Sequence, residues 1–150
     1  MNRLSKMSHW ITRLILAFPT LLFLTIGIRG LSNVTTALEA RGIAFTSSMG
    51  VTVARVGFGA FPLACGLFLI GCLFFERRLL TALSFVATLD LVVLIVRVAG
   101  MFADSSVREN MPLVRAELVL LLLTTIGLAI EFIRRRRLTM TPLSAAALTR

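Results

Sequence analysis

The chain contains no tyrosine, one tryptophan, one histidine, two cysteines and only seven acidic residues. Each scarcity closes a route. One histidine, His9, and two cysteines, Cys65 and Cys72, provide no ligand set at the spacings that zinc sites use, so no metal is assigned. The lack of tyrosine removes one common proton donor, and neither a nucleophile elbow nor a phosphate-cradling loop is present. No catalytic residue and no cofactor are assigned, and the sequence favours a non-enzymatic role. Cys65 and Cys72 lie two helical turns apart, about 10 Å along an axis, too far for an internal disulfide. They read as small apolar filler. Charge is scarce too. Charged residues make up 15% of the chain against 57% hydrophobic, with a mean hydropathy of +0.93, which excludes a soluble globular domain.

What is present is apolar sequence in long runs. A bilayer core about 30 Å thick needs roughly 20 residues of helix. Four stretches meet that length, at about residues 10–28, 51–75, 79–102 and 113–133. They consume most of the 150 residues and leave room for one membrane domain, followed by a basic tail over 134–150. The expected fold is therefore all-α, a polytopic bundle of four transmembrane helices. The first run exceeds the usual apolar core of a signal peptide, and no small-x-small cleavage site follows Ile28, so it reads as an uncleaved helix.

A net charge of +9 would point to nucleic acid in a soluble protein, but the placement of the charges argues otherwise. Arg3, Lys6 and Arg13 flank the first span. Arg77 and Arg78 fill the turn after the second, and Arg134, Arg135, Arg136 and Arg137 follow the fourth. Short basic loops stay cytoplasmic, so both termini are expected inside, with no nucleic-acid partner. The Arg134–Arg137 run is expected to stop transfer and to hold anionic lipid, at about 1 kcal/mol per basic residue. Trp10 stands where an interfacial aromatic belongs.

Between the first two spans, Asn33-Val34-Thr35 is expected to cap a short helix through Arg41, with Gly42 as its stop. Gly27 and Gly30 are expected to close the first helix, and Pro19 to kink it or be accommodated by a neighbour. The second span carries Gly57, Gly59, Ala60, Ala64 and Gly66, small residues that permit close helix contact in lipid. Pro112 is expected at the start of the fourth helix.

Arg55, Arg97 and Glu117 each lie about five residues inside the outer end of a span, roughly 7 Å deep. Asp90 lies two turns from Arg97 on the same helical face, near the midplane. Two cations and two anions balance, as a medium of low dielectric requires. Arg55 and Arg97 are expected to compete for Glu117, with Asp90 water-linked to Arg97 or neutral. The cluster either pins helices together or lines an outward-facing pocket for a polar headgroup. A proton or ion path through Asp90 is set lower, because no matching acid is read in the cytoplasmic half.

With these residues placed, the chain resembles a family of small four-helix bacterial membrane proteins related to the DoxX-like proteins. The residues that carry the likeness are Glu39-Ala40-Arg41-Gly42, then Arg55 with Gly57 and Gly59, Arg97-Val98-Ala99-Gly100 with Asp104, and Glu117-Leu118. Where such proteins show an aromatic-Gly-Gly segment before the second helix, this chain reads Phe45-Thr46-Ser47-Ser48-Met49-Gly50. The resemblance implies a multi-pass protein of the bacterial inner membrane, with a distant association to quinone-linked redox systems. It brings no activity. Two functions are carried forward. The first is a non-catalytic accessory or assembly subunit with a membrane-protein partner. The alternative is a binder or carrier of a lipid-like or quinone-like ligand at Arg55, Asp90, Arg97 and Glu117.

Overall fold

A computed structural model of the chain describes the backbone of residues 3–147 and the side chains of residues 8–136. In hydrocarbon a backbone must satisfy its own hydrogen bonds, and the apolar runs do so as helices. Helix α1 spans Arg3–Ser32, α2 Val34–Glu39, α3 Ser48–Arg55, α4 Phe61–Phe74, α5 Leu79–Ala103 and α6 Val107–Ala147. A π-helical turn, Val56–Ala60, joins α3 to α4, and a 3-10 turn, Glu76–Arg78, leads into α5. Among the described residues, four helical segments are long and apolar enough to cross a membrane: Ser8–Ser32, Ser48–Phe74, Glu76–Ala103 and Val107–Arg136. The fold class is the expected one, an all-α polytopic membrane protein.

The element ends differ from expectation in informative ways. Helix α1 passes Gly27 and Gly30 and ends at Ser32, so those glycines do not close it. Pro19 is fully buried and α1 continues through it. Helix α6 starts at Val107, which places Pro112 in its second turn, and it continues as helix through the basic run to Ala147. The π turn lies just before Pro62, which has no N–H and presses its ring toward the carbonyl of residue 58. One wider turn absorbs that conflict without breaking the span.

By its internal contacts the chain forms two compact units, Ala17–Phe75 and Met1–Leu16 with Glu76–Arg150. In the first, α1 crosses the second span with its glycines as the contact points. A Cβ on Gly27 would lie 2.5 Å from the Leu63 nitrogen, and one on Gly59 would lie 2.8 Å from the Leu31 nitrogen. Gly66 lies against the Leu24 side chain, whereas Gly57 faces open space. Of the small residues in the second span, Gly59 and Gly66 therefore make the close approach, while Ala60 and Ala64 are exposed. Helix α2 takes Asn33 as its N-cap residue without a side-chain cap bond, and the chain turns after it through Gly42 at φ +81°. Val34 and Leu38 of α2 pack with Ala54 of α3, and Phe45 and Val51 close over them.

In the second unit α5 and α6 pack along each other as an antiparallel pair, turning through Ser105. Buried positions recur at helical spacing, at Leu79, Leu83, Val86, Asp90 and Met101 on α5. On α6 they are Val114, Leu120, Thr124, Gly127 and Glu131. The first turns of α1 add His9, Thr12 and Leu16, and Gly127 sits against Ile15 and Leu83.

Candidate functional site

Both ends of the α5–α6 pair carry an ionic network. At the end near the α5–α6 turn, Arg97 Nε lies 2.8 and 2.9 Å from the two Glu117 oxygens, and its Nη2 lies 2.7 Å from Oε1. A planar guanidinium and a planar carboxylate meet here as a fork, the strongest form of ion pair. The remaining nitrogen, Nη1, donates to Asn110 Oδ1 at 3.3 Å. Asn110 Nδ2 in turn donates to the Ser106 hydroxyl at 3.0 Å and the Ser106 carbonyl at 3.2 Å. All three nitrogens of Arg97 are thus engaged within the pair of helices.

The structure brings together two of the four candidate residues, Arg97 and Glu117. Both Glu117 oxygens are taken by Arg97. Arg55 belongs to the other compact unit, where its side chain is exposed in the last turn of α3. Asp90 lies in the same unit as the pair and is 5% exposed, with its Oδ2 buried and without a hydrogen-bond partner. Leu83 against Gly127 sets the α5–α6 register, which puts Asp90 about level with Leu120 and Thr124 one turn further inward. The Thr124 hydroxyl donates to the Leu120 carbonyl at 2.9 Å and approaches the Leu121 carbonyl at 3.1 Å.

The other end holds a network that the sequence reading did not assemble. Glu131 is fully buried and receives Arg134 Nε and Nη2, each at 2.8 Å, and Arg135 Nε at 3.0 Å. Arg135 also donates through Nη2 to the Arg77 carbonyl at 2.8 Å and to the Glu76 carbonyl at 3.4 Å. His9 Nε2 lies 3.0 Å from Glu76 Oε1. The ends of α1, α5 and α6 are tied by these bonds. The expectation of no matching acid in this half is therefore corrected, since Glu131 lies buried two turns beyond Thr124. Beside the basic run, it has the sequence surroundings of an interfacial residue. Its signal was the spacing of Asn110, Glu117, Thr124 and Glu131, one polar residue every two turns of α6. Asn110 lies before the apolar run of the fourth span, so hydropathy alone does not pick it out.

Of the four arginines assigned to lipid, Arg134 and Arg135 turn inward to Glu131, and Arg136 lies over the Phe132 ring at 4.5 Å. The side chains of Arg137, Arg3, Lys6 and Arg150 lie outside the described residues. Arg13 stands 5.9 Å over the exposed Trp10 ring. A shallow concavity of about 320 Å³ opens on the first turns of α6, lined by Arg108, Met111, Pro112 and Arg115. Among the described residues no three His, Cys, Asp or Glu side chains gather as a metal site.

No protein-family model, curated protein or solved structure matches the chain.

Proposed function

We propose that this chain is a non-catalytic accessory or assembly subunit of a larger membrane complex. The observation that carries the reading is that the arginine–carboxylate groups at both ends of the α5–α6 pair are consumed by each other. Arg97 uses all three nitrogens on Glu117 and Asn110, and Glu131 is held by Arg134 and Arg135. Groups so engaged fasten helices and leave few donors for a substrate. What the chain offers outward is large apolar side chains, with Arg55 exposed among them. An arginine inside a span is costly in lipid and gains from a partner carboxylate or a headgroup. The likeness to DoxX-like proteins and the basic flanks support a bacterial inner-membrane location with both termini cytoplasmic. The test is native mass spectrometry of the protein extracted with its surrounding lipid. A second polypeptide at fixed stoichiometry supports the subunit reading. A partner complex of unchanged size and activity after deletion of this chain refutes it.

A second reading, binding of a lipid-like or quinone-like ligand, draws on the concavity between Arg108 and Arg115. Both guanidinium groups there belong to exposed side chains, with Met111 and Pro112 between them. Retention of one small molecule, lost on replacing both arginines with glutamine, supports this alternative over the first.

A further inference from the structure

We infer that Asp90 is a proton-binding site in the membrane interior, reached from the Arg97–Glu117 end of the α5–α6 seam. Three observations carry it. Asp90 is 5% exposed and its Oδ2 finds no hydrogen-bond partner. The cation nearest on its own helix, Arg97, is already committed to Glu117 and Asn110. Thr124, the buried hydroxyl of α6 in this unit, spends its hydrogen on its own helix backbone. A carboxylate at this depth would stand as an unbalanced charge in hydrocarbon, whereas a carboxylic acid is neutral and supplies its own donor. The proton is the ligand that completes the site.

The route of access follows from packing. Toward residues 76–78, Leu83 and Val86 are fully buried and Gly127 is closed against Ile15 and Leu83. His9, Arg13 and Glu131 lie beyond that apolar layer. In the opposite direction Leu94, Arg97, Glu117, Asn110 and Ser106 are all partly exposed, and all but Leu94 are polar. Arg97 and Glu117 are the charged groups that face Asp90 from α5 and α6. Loss of the proton sets Asp90 in competition with Glu117 for Arg97, the cation nearest to it on α5. Proton binding is thereby linked to the clasp between α5 and α6.

The sequence makes the test clean, because Asp90 and Asp104 are its only aspartates. The full chain, labelled at the aspartyl carboxyl carbon and reconstituted in lipid nanodiscs, should give two carboxyl resonances by NMR. The signal lost in Asp90→Asn is expected at the protonated position at neutral pH. An ionised position for that signal at neutral pH, with or without added sodium, overturns the proposal. Access is read separately with single cysteines placed in a Cys65→Ala/Cys72→Ala background. Leu94→Cys is expected to react with a small thiol reagent at least tenfold faster than Val86→Cys, and equal rates overturn the one-sided route.

Discussion

Substituting Gly30 tests whether backbone contact, and not side-chain chemistry, holds the Ala17–Phe75 unit together. A Cβ on Gly30 would fall on the Phe58 carbonyl, 2.6 Å from its carbon and 2.8 Å from the Gly59 Cα. Carbon atoms pack at about 3.5–4.0 Å, so Gly30→Ala must push the two helices apart by roughly 1 Å. No flexible side chain can move aside, because the obstructing atoms are backbone. Overpacking of this kind costs about 1–3 kcal/mol, and rigid neighbours place the cost at the upper end. Alanine recovers up to about 1 kcal/mol of helix propensity, leaving a net loss near 2 kcal/mol. Gly57→Ala is the matched control, since nothing lies within 4 Å of its Cβ position. In thermal melts of the purified protein in detergent, Gly30→Ala should fall by roughly 5 °C, using soluble chains of this length as the guide. Gly57→Ala should hold or rise. Equal melting temperatures for the two variants would refute the close-crossing account.

Glu117→Leu should lower stability by about 1–3 kcal/mol, because it strands a partly buried arginine; the side chains of Arg97 and Glu117 are 27% and 16% exposed. The double variant Arg97→Leu/Glu117→Leu should recover most of that loss in the same melt, and additive losses would show that the fork does not pin the helices. Arg135→Gln should destabilise by roughly 1–2 kcal/mol, since it removes bonds to Glu131 and to the Arg77 carbonyl. Arg136→Gln, which takes away an exposed contact with Phe132, should change stability by less than about 0.5 kcal/mol. Ser47→Ala removes the oxygen that accepts from the Gly50 N–H at 3.2 Å, and a loss of about 1 kcal/mol is expected, visible as faster hydrogen exchange in the first turn of α3.

Much of the fold was legible because hydrocarbon imposes few alternatives. Runs of about 20 apolar residues must be helices, and the turn at Glu76–Arg78 falls where charge interrupts the pattern. The matched depth of Arg97 and Glu117 was also readable, as depth is counted in residues along each span. Less was readable around them. Asn110 completes the Arg97 network from outside the apolar run, and Glu131 is fully buried although it borders four arginines. Composition marks both as interfacial. Their spacing puts both on the face of Glu117, and only the rotation of α6 about its axis turns that face toward α5.

Sequence by itself determined the class of the molecule, its four spans and the helices that carry intramembrane charge, because those properties follow from local hydropathy and from position along the chain. Tertiary structure decided which charges meet. Arg97 found Glu117, Arg134 and Arg135 found Glu131, and Asp90 was left without a charged partner. It also decided that Gly27 and Gly30 are contact surfaces and not helix ends, and that Gly59 and Gly66, but not Gly57, make the close contact of the second span. The physical reason is that pairing and close approach depend on the azimuth and crossing of helices. Those are set by side chains far apart in the chain, and no single segment encodes them.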